Sequence, residues 1–236
     1  MARWRLLLFG ATGAIGSAVL AEAQGRGWHV TAVSRGSGRV EDRDGVVWRR
    51  HDPFADDAAA FADDAPFDAV CWAHGANMAD SIKRFDADRH LELYRANCLS
   101  VMASMALLVE RGLLRPGGAR LVVVSSIWQE RARADKLSYI VSKAAVGGLV
   151  RSASVDLGSD GHLVNGVLPG ALDTPMTRAN LSPEQIGAIA AKTTLGRLPE
   201  LQTLAGLICF LASIDNNSIS GQSIAVDLGM SHAHLL

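Results

Sequence analysis

At 236 residues, with 49% hydrophobic and 20% charged side chains, the chain has enough apolar residues for a well-buried α/β domain, which excludes a disordered polymer. A formal net charge of −1 supplies no global field for nucleic acid or an anionic membrane, so neither is an expected partner. Cys71, Cys98 and Cys209 are odd in number, distant from one another and outside any Cys-x-x-Cys pair, and they read as reduced core thiols of a cytoplasmic protein.

Residues 5–9 read as a short apolar strand whose run Leu6-Leu7-Leu8-Phe9 is too short for a signal h-region or a membrane span. It opens onto Gly10-Ala11-Thr12-Gly13-Ala14-Ile15-Gly16 and a helix to about residue 24, stopped by Gly25 and Gly27. Further strands are expected at 29–33, 45–49 and 67–72. A long helix is expected over 88–111, closed by Gly112 and Pro116. The β-branched run at 120–124 is a fifth strand, residues 137–157 a helix, and 163–168 a sixth strand stopped by Pro169-Gly170. A helix over 199–212 and a strand over 223–227 complete the pattern. Strands alternating with helices predict a Rossmann-type, doubly wound, seven-stranded parallel sheet with helices on both faces, in a single domain spanning 1–236. The polar interval 173–194, flanked by Pro175 and Pro183, follows a strand end and is the candidate substrate lid.

Gly10, Gly13 and Gly16 lie between strand and helix, the context a phosphate loop requires. Glycine lets the backbone turn sharply and approach a pyrophosphate, while the helix N-terminus supplies N–H donors and partial positive charge. At the end of the second strand an NAD-binding chain commonly places a carboxylate for the adenosine 2′-hydroxyl. Here Val33-Ser34-Arg35 stands in that place. Arg35 suits a 2′-phosphate, with Arg39 as a possible assistant, so NADP(H) is preferred over NAD(H). Asp42 and Asp44 lie too far on to replace the carboxylate, and Asp52 is a candidate partner for the adenine amine.

Tyr139 and Lys143 are four residues apart in an expected helix, so phenol and ammonium share one face. At ~4 Å and an effective dielectric near ~20, the cation favours the phenolate by roughly 4 kcal/mol before desolvation. That predicts a phenol drawn from its usual ~10 towards neutral pH, able to give or take a proton.

Over nearly its whole length the chain resembles the short-chain dehydrogenase/reductase family. The glycine loop carries this resemblance with Ala96-Asn97-Cys98-Leu99-Ser100, Val124-Ser125-Ser126-Ile127 and Tyr139 with Lys143. So do the run from Asn165 through Pro169-Gly170-Ala171-Leu172-Asp173-Thr174 and the C-terminal Ser220-Gly221-Gln222 and Val226-Asp227-Leu228-Gly229. The resemblance implies a catalytic tetrad. Tyr139 would be the acid in reduction and the base in oxidation. Lys143 would hold the nicotinamide ribose and lower the Tyr139 pKa, and Ser126 would bond the substrate carbonyl. Asn97 would kink its helix and position a water of the proton relay. Thr12, Ala14, Ile15 and the three glycines would cradle the phosphates. Pro169, Gly170, Leu172 and Thr174 would seat the nicotinamide, the Leu172 backbone bonding its carboxamide. The family also implies a homo-oligomer, a tetramer or dimer, built on the long fourth and fifth helices and on the 199–212 helix with the last strand.

Two features depart from the family pattern. The glycine spacing, three and three, is the one seen in longer members. The fourth strand ends Trp72-Ala73-His74-Gly75 where Asn-Asn-Ala-Gly is usual, so Ala73, His74 and Gly75 would line the cofactor without the asparagine ties. Trp128 is a candidate wall of the substrate pocket, and the run Glu130–Lys136 reads as a solvated loop. His232 and His234 have no clustered partners, and no metal is expected. The leading expectation is an NADP(H)-dependent carbonyl reductase acting reversibly on a ketone or 3-oxo compound. The alternatives are an NAD-dependent alcohol dehydrogenase and a dinucleotide sensor without catalysis.

Overall fold

The computed structural model describes residues 3–34, 45–55, 59–174, 177–178 and 181–232. Successive side chains of a strand face opposite sides of a sheet, and β1 (Arg5–Phe9) uses both sides: Leu6 and Leu8 enter one apolar core, Leu7 and Phe9 the other. Leu6, Leu7 and Leu8 are fully buried, and burying such a side chain contributes ~1.5–3 kcal/mol relative to leaving it exposed. The remaining strands are β2 (His29–Ser34), β3 (Val46–Arg50), β4 (Ala69–Trp72), β5 (Arg120–Val124), β6 (Leu163–Pro169) and β7 (Ser223–Val226). All seven pair in parallel in the order β3-β2-β1-β4-β5-β6-β7.

Helices cover both faces, as an all-parallel sheet requires. On one side α1 (Ala14–Gly25) packs with α7 (Leu201–Leu211), and Leu204, Ile208 and Leu211 meet Leu8, Val122 and Val124. The other face is covered by α4 (Ser100–Glu110) and α5 (Leu137–Asp156), whose Val101, Met105, Leu108, Val146 and Val150 meet Val70, Trp72, Leu121 and Val123. Shorter helices are α2 (Ala59–Ala62), α3 (Ala87–Tyr94) and α6 (Pro183–Ala190). The chain leaves β1 towards β2 on one side, while β4 lies on the other. The loops after β1 and β4 therefore diverge and open a crevice at the carboxyl ends of the strands.

Several expected elements differ from the sequence pattern. The strand expected over 67–72 is regular only from Ala69, with Phe67 joined to Leu114 by a single bridge. The third strand lies one residue later than expected. The helix expected over 88–111 is two helices, α3 and α4, joined by a π-helical turn at Arg95–Leu99. Such turns are rare and local, and the side chain at this one is Asn97. Cys71, Cys98 and Cys209 are free and buried, and burial raises all three thiols, Cys209 to about 12.

Candidate active site

The first wall of the crevice is the glycine loop. Gly10 sits at φ +77, in the left-handed region, and a Cβ there would meet the His74 backbone nitrogen at 2.7 Å. At Gly16 a Cβ would clash with the Gly10 carbonyl oxygen, so the start of α1 presses directly on the turn. Gly13 caps α1 with no side chain on its N–H groups, while Thr12 is exposed and Ala14 and Ile15 are half-buried on the first turn. This is a close-packed backbone cradle at a helix N-terminus, which suits a dinucleotide pyrophosphate.

Ser34 ends β2, half-buried and opposite Arg50 on β3. Arg35, Arg39, Asp42 and Asp44 lie outside the described residues, as do Pro175 and His234. Asp52 is exposed, and its carboxylate accepts the Phe54 N–H at 3.0 Å, closing a turn. Its described partner is thus its own loop.

Strand β4 leads into Ala73-His74-Gly75. Ala73 N–H donates to Phe9 O at 2.9 Å, which holds the strand end against β1. The His74 ring joins the strand end to the following helix. Its Nε2 is 2.9 Å from Ser100 Oγ, and the ring meets Phe9 edge-on. Ser100 donates to the Ala96 carbonyl of the π turn at 2.8 Å. One turn on, Trp72 Nε1 donates to Ser104 Oγ at 2.8 Å. Two serines spaced four apart thus tie strand to helix where the family's asparagines are missing. His74→Ala is expected to cost ~1–2 kcal/mol in urea unfolding, from a lost hydrogen bond and lost packing. An unchanged unfolding midpoint would show the tie to be idle.

Asn97 is buried inside the π turn. Its Oδ1 accepts the Ala76 N–H at 2.7 Å, and its Nδ2 donates to Ala76 O and to Ser142 Oγ, both at 3.0 Å. The side chain therefore fastens the loop after β4 to α5. Gly75 lies beside it, where a Cβ would sit 3.4 Å from Asn97 Oδ1 and 3.5 Å from Lys143 Nζ.

Ser126 follows β5 and caps the short 3₁₀ turn Ile127–Gln129 by accepting the Trp128 N–H at 3.3 Å. Close by, α5 presents Tyr139 next to Ser126, with Lys143 Nζ 5.8 Å from the centre of its ring. Lys143 is almost fully buried and donates to Val124 O at 3.3 Å. Ser125, just before Ser126, continues the β5–β6 ladder, its N–H donating to Val167 O at 2.8 Å.

The electrostatics correct one expectation. The Tyr139 phenol lies above, not below, its ordinary value, because burial outweighs the lowering by the neighbouring Ser126 hydroxyl. Lys143 is itself pushed down to about 8 by burial. A cation that far from the ring, and so reluctant to be charged, does not overcome desolvation.

Pro169 ends β6, and Gly170 packs so tightly on Asp227 that a Cβ would lie 2.9 Å from its side chain. Leu172 is buried, and its carbonyl accepts from Thr177 Oγ1 at 2.6 Å. Thr174 Oγ1 accepts the Thr177 N–H at 3.1 Å. Across this turn Asp173 and Arg178 form a two-bonded ion pair, and α6 begins with a capping box at Ser182 and Gln185. Thr194 closes the interval by bonding Leu228 O through both its N–H and Oγ1.

Trp128 is half-buried, with the Arg133 guanidinium 5.8 Å from its ring centre. Lys136, read from sequence as part of a solvated loop, instead donates to Asn77 Oδ1 at 2.8 Å and to Met78 O at 3.2 Å. Sequence reasoning also passed over Ser142, Ser100 and Gln129. The Gln129 side chain fills the space above Gly147 on α5, where a Cβ would meet it at 2.7 Å, and donates to Ser223 Oγ at 3.1 Å. A glycine at a buried position within a core helix was the one available signal. Among the described residues no group of three or more His, Cys, Asp and Glu is placed to hold a metal ion. No helix of the described residues is long and apolar enough to cross a membrane.

Residues 59–231 match a family model described as enoyl-(acyl carrier protein) reductase. The chain is also 30% identical over 235 residues to the 3-oxoacyl-[acyl-carrier-protein] reductase MabA of Mycobacterium bovis, covering 97% of this chain and 93% of that one. The chain belongs to the short-chain dehydrogenase/reductase family. Another relative is the 3-oxoacyl-[acyl-carrier-protein] reductase FabG of Salmonella typhimurium, 30% identical over 156 residues. That match covers 66% of this chain and 63% of the relative's length. Among solved structures, the gluconate 5-dehydrogenase of Burkholderia cenocepacia in complex with NADP and tartrate superposes with a TM-score of 0.85 at 20% identity, covering 99% of this chain and 97% of that one. At that identity the likeness speaks for the short-chain dehydrogenase/reductase fold alone, and the doubly wound sheet agrees with it.

Proposed function

We propose that this chain is an NADP(H)-dependent carbonyl reductase that converts a ketone or 3-oxo compound to a secondary alcohol, reversibly. The observation that carries the reading is Tyr139 beside Ser126, with Lys143 buried next to the phenol ring and anchored to Val124. Two neighbouring hydroxyls suit a carbonyl oxygen, which needs a bond to orient it and a proton to complete its reduction. The family's 3-oxoacyl reductase relatives support the same substrate chemistry.

The residues present fit a dinucleotide: the Gly10–Gly16 cradle has no room for side chains where the helix meets the turn. NADPH, when bound, supplies the hydride. Gly10, Thr12, Gly13, Ala14, Ile15 and Gly16 would hold its phosphates, and Ser34 with Arg35 its 2′-phosphate. Ala73, His74 and Gly75 would approach it through backbone, with Asp52 nearby. Pro169, Gly170, Leu172 and Thr174 would carry its nicotinamide end. Ser126 holds the carbonyl oxygen and Tyr139, kept protonated by its burial, gives the proton. Lys143 binds ribose hydroxyls, and Asn97 keeps the loop after β4 and α5 in register. Trp128 would wall the substrate side, and residues 173–194 would form the lid of this one-domain chain. The apolar side chains Leu99, Met102 and Val109, exposed at helical spacing along the π turn and α4, favour a second copy of the chain packing there in a homo-oligomer.

The test is a panel of ketones, 3-oxo esters and 3-oxo thioesters, followed by NADPH oxidation. Turnover with at least one 3-oxo substrate, faster with NADPH than NADH, is expected. Arg35→Asp is expected to cut the NADPH-over-NADH preference by about tenfold or more, since it replaces a charge-assisted bond with repulsion. NADPH binding with no turnover on any substrate would instead favour the sensor.

A further inference from the structure

We propose that Asp80 is a positioning residue for Tyr139, a role that rests on Tyr139 being the proton donor. The need for it is visible at the start of α5. A helix leaves its first N–H groups without partners, and a polar side chain just before it normally accepts one of them. In α5 that place belongs to Lys136, which makes no side-chain cap and whose ammonium is turned away to Asn77 and Met78. A cation there also opposes the helix dipole.

The missing acceptor comes from far away in sequence. Asp80, in the loop after β4, is buried, and its Oδ1 accepts the Ser138 N–H at 3.0 Å. Its Oδ2 accepts the Ser138 hydroxyl, and its carbonyl oxygen accepts the Leu137 N–H at 3.4 Å. Because Ser138 Oγ gives its proton to the carboxylate, that oxygen is free to accept from His90 Nδ1, 2.8 Å away on α3. A fully buried serine thus sits between a carboxylate and an imidazole, and the next residue is Tyr139. A further tie between these loops, Arg84 with Asp135, is exposed, and such pairs hold little.

The same loop reaches Asn97 four residues earlier, through both backbone groups of Ala76. The segment Ala76 to Asp80 is therefore a bracket. One end fixes the π turn, and the other fixes the first turn of the helix that aims the phenol at Ser126. The Asp80 carboxylate touches no reacting atom in this arrangement. It acts through the direction of α5.

The experiment uses the full chain and the best substrate of the panel above, at saturating NADPH. Asp80→Ala is expected to lower kcat by about tenfold or more, as a small misplacement of an acid does, with KM and the NADPH Kd within about twofold. Asp80→Asn keeps an oxygen for the Ser138 N–H and is expected to recover kcat to within about threefold of the parent, which simple loss of packing does not explain. Should Asp80→Ala not fold, Ser138→Ala carries the test, with kcat lowered about threefold and NADPH affinity unchanged. Parent-like kcat in the folded alanine variant overturns the proposal, as does a loss of kcat and NADPH affinity together without recovery by asparagine. Tyr139→Phe measured alongside separates the two ideas. If it turns over normally, the proton-donor reading fails and takes this role with it; if it is dead while Asp80→Ala is unaffected, only the positioning role fails.

Discussion

Tyr139→Phe is expected to lose turnover by a factor of about 10²–10⁴, the usual contribution of a positioned general acid, while NADPH still binds. The substitution removes one hydroxyl and leaves the ring. That ring packs with the Lys136 and Lys143 ammonium groups 6.0 and 5.8 Å from its centre, so the first turns of α5 have no reason to move. Ser126 remains to bond the carbonyl oxygen, which makes this variant a measure of the proton rather than of substrate orientation. Burial holds the phenol above its ordinary value, so at neutral pH the side chain is present in the acid form that reduction needs. Oxidation of the alcohol asks for the opposite form and is expected to improve as pH rises. NADPH oxidation in the steady state, with a fluorescence titration of NADPH, decides the matter. Turnover within a few-fold of the parent would remove Tyr139 from the chemistry.

What the sequence made legible was local. The alternation of Leu6, Leu7, Leu8 and Phe9, the glycines between strand and helix, and the four-residue step from Tyr139 to Lys143 each have their cause within one or two turns of chain. The π turn could not be read in the same way. Its side-chain anchor is Asn97 bonded to Ala76, twenty-one residues earlier, and to Ser142, forty-five residues later. A helical periodicity running smoothly from 88 to 111 gives no sign of either. The His74 tie and the Asp80 cap escaped for the same reason, since each joins a loop after β4 to a helix distant in sequence. The direction of the Tyr139 shift was missed for a different cause. Spacing reports that a cation is near, but only packing reports how dry the phenol is.

Dryness also sets the second large effect, which falls on Lys143. Its ammonium is buried, donates to one described backbone oxygen and is pushed down to about 8 from an ordinary 10.5. A shift of that size makes holding the charge inside the native protein near neutral pH cost about 3 kcal/mol. Below about pH 8 both the folded and the unfolded chain carry the proton, so the cost is present in full. As pH rises from about 8 towards the unfolded value, the unfolded chain binds more protons than the native one and stability increases. Lys143→Met keeps the length of the side chain and removes the charge. It is expected to be more stable than the parent near pH 7 by about 2–3 kcal/mol, after allowing for the lost bond to Val124, and the difference should shrink towards about pH 10. The same variant is expected to be without useful turnover. Urea unfolding at the two pH values, beside the NADPH assay, tests both halves. A variant less stable than the parent at each pH would mean that the ammonium is held by partners stronger than burial is costly. A more stable, inactive one would mean that the fold keeps a charge in its interior against its own stability because the reaction uses it there.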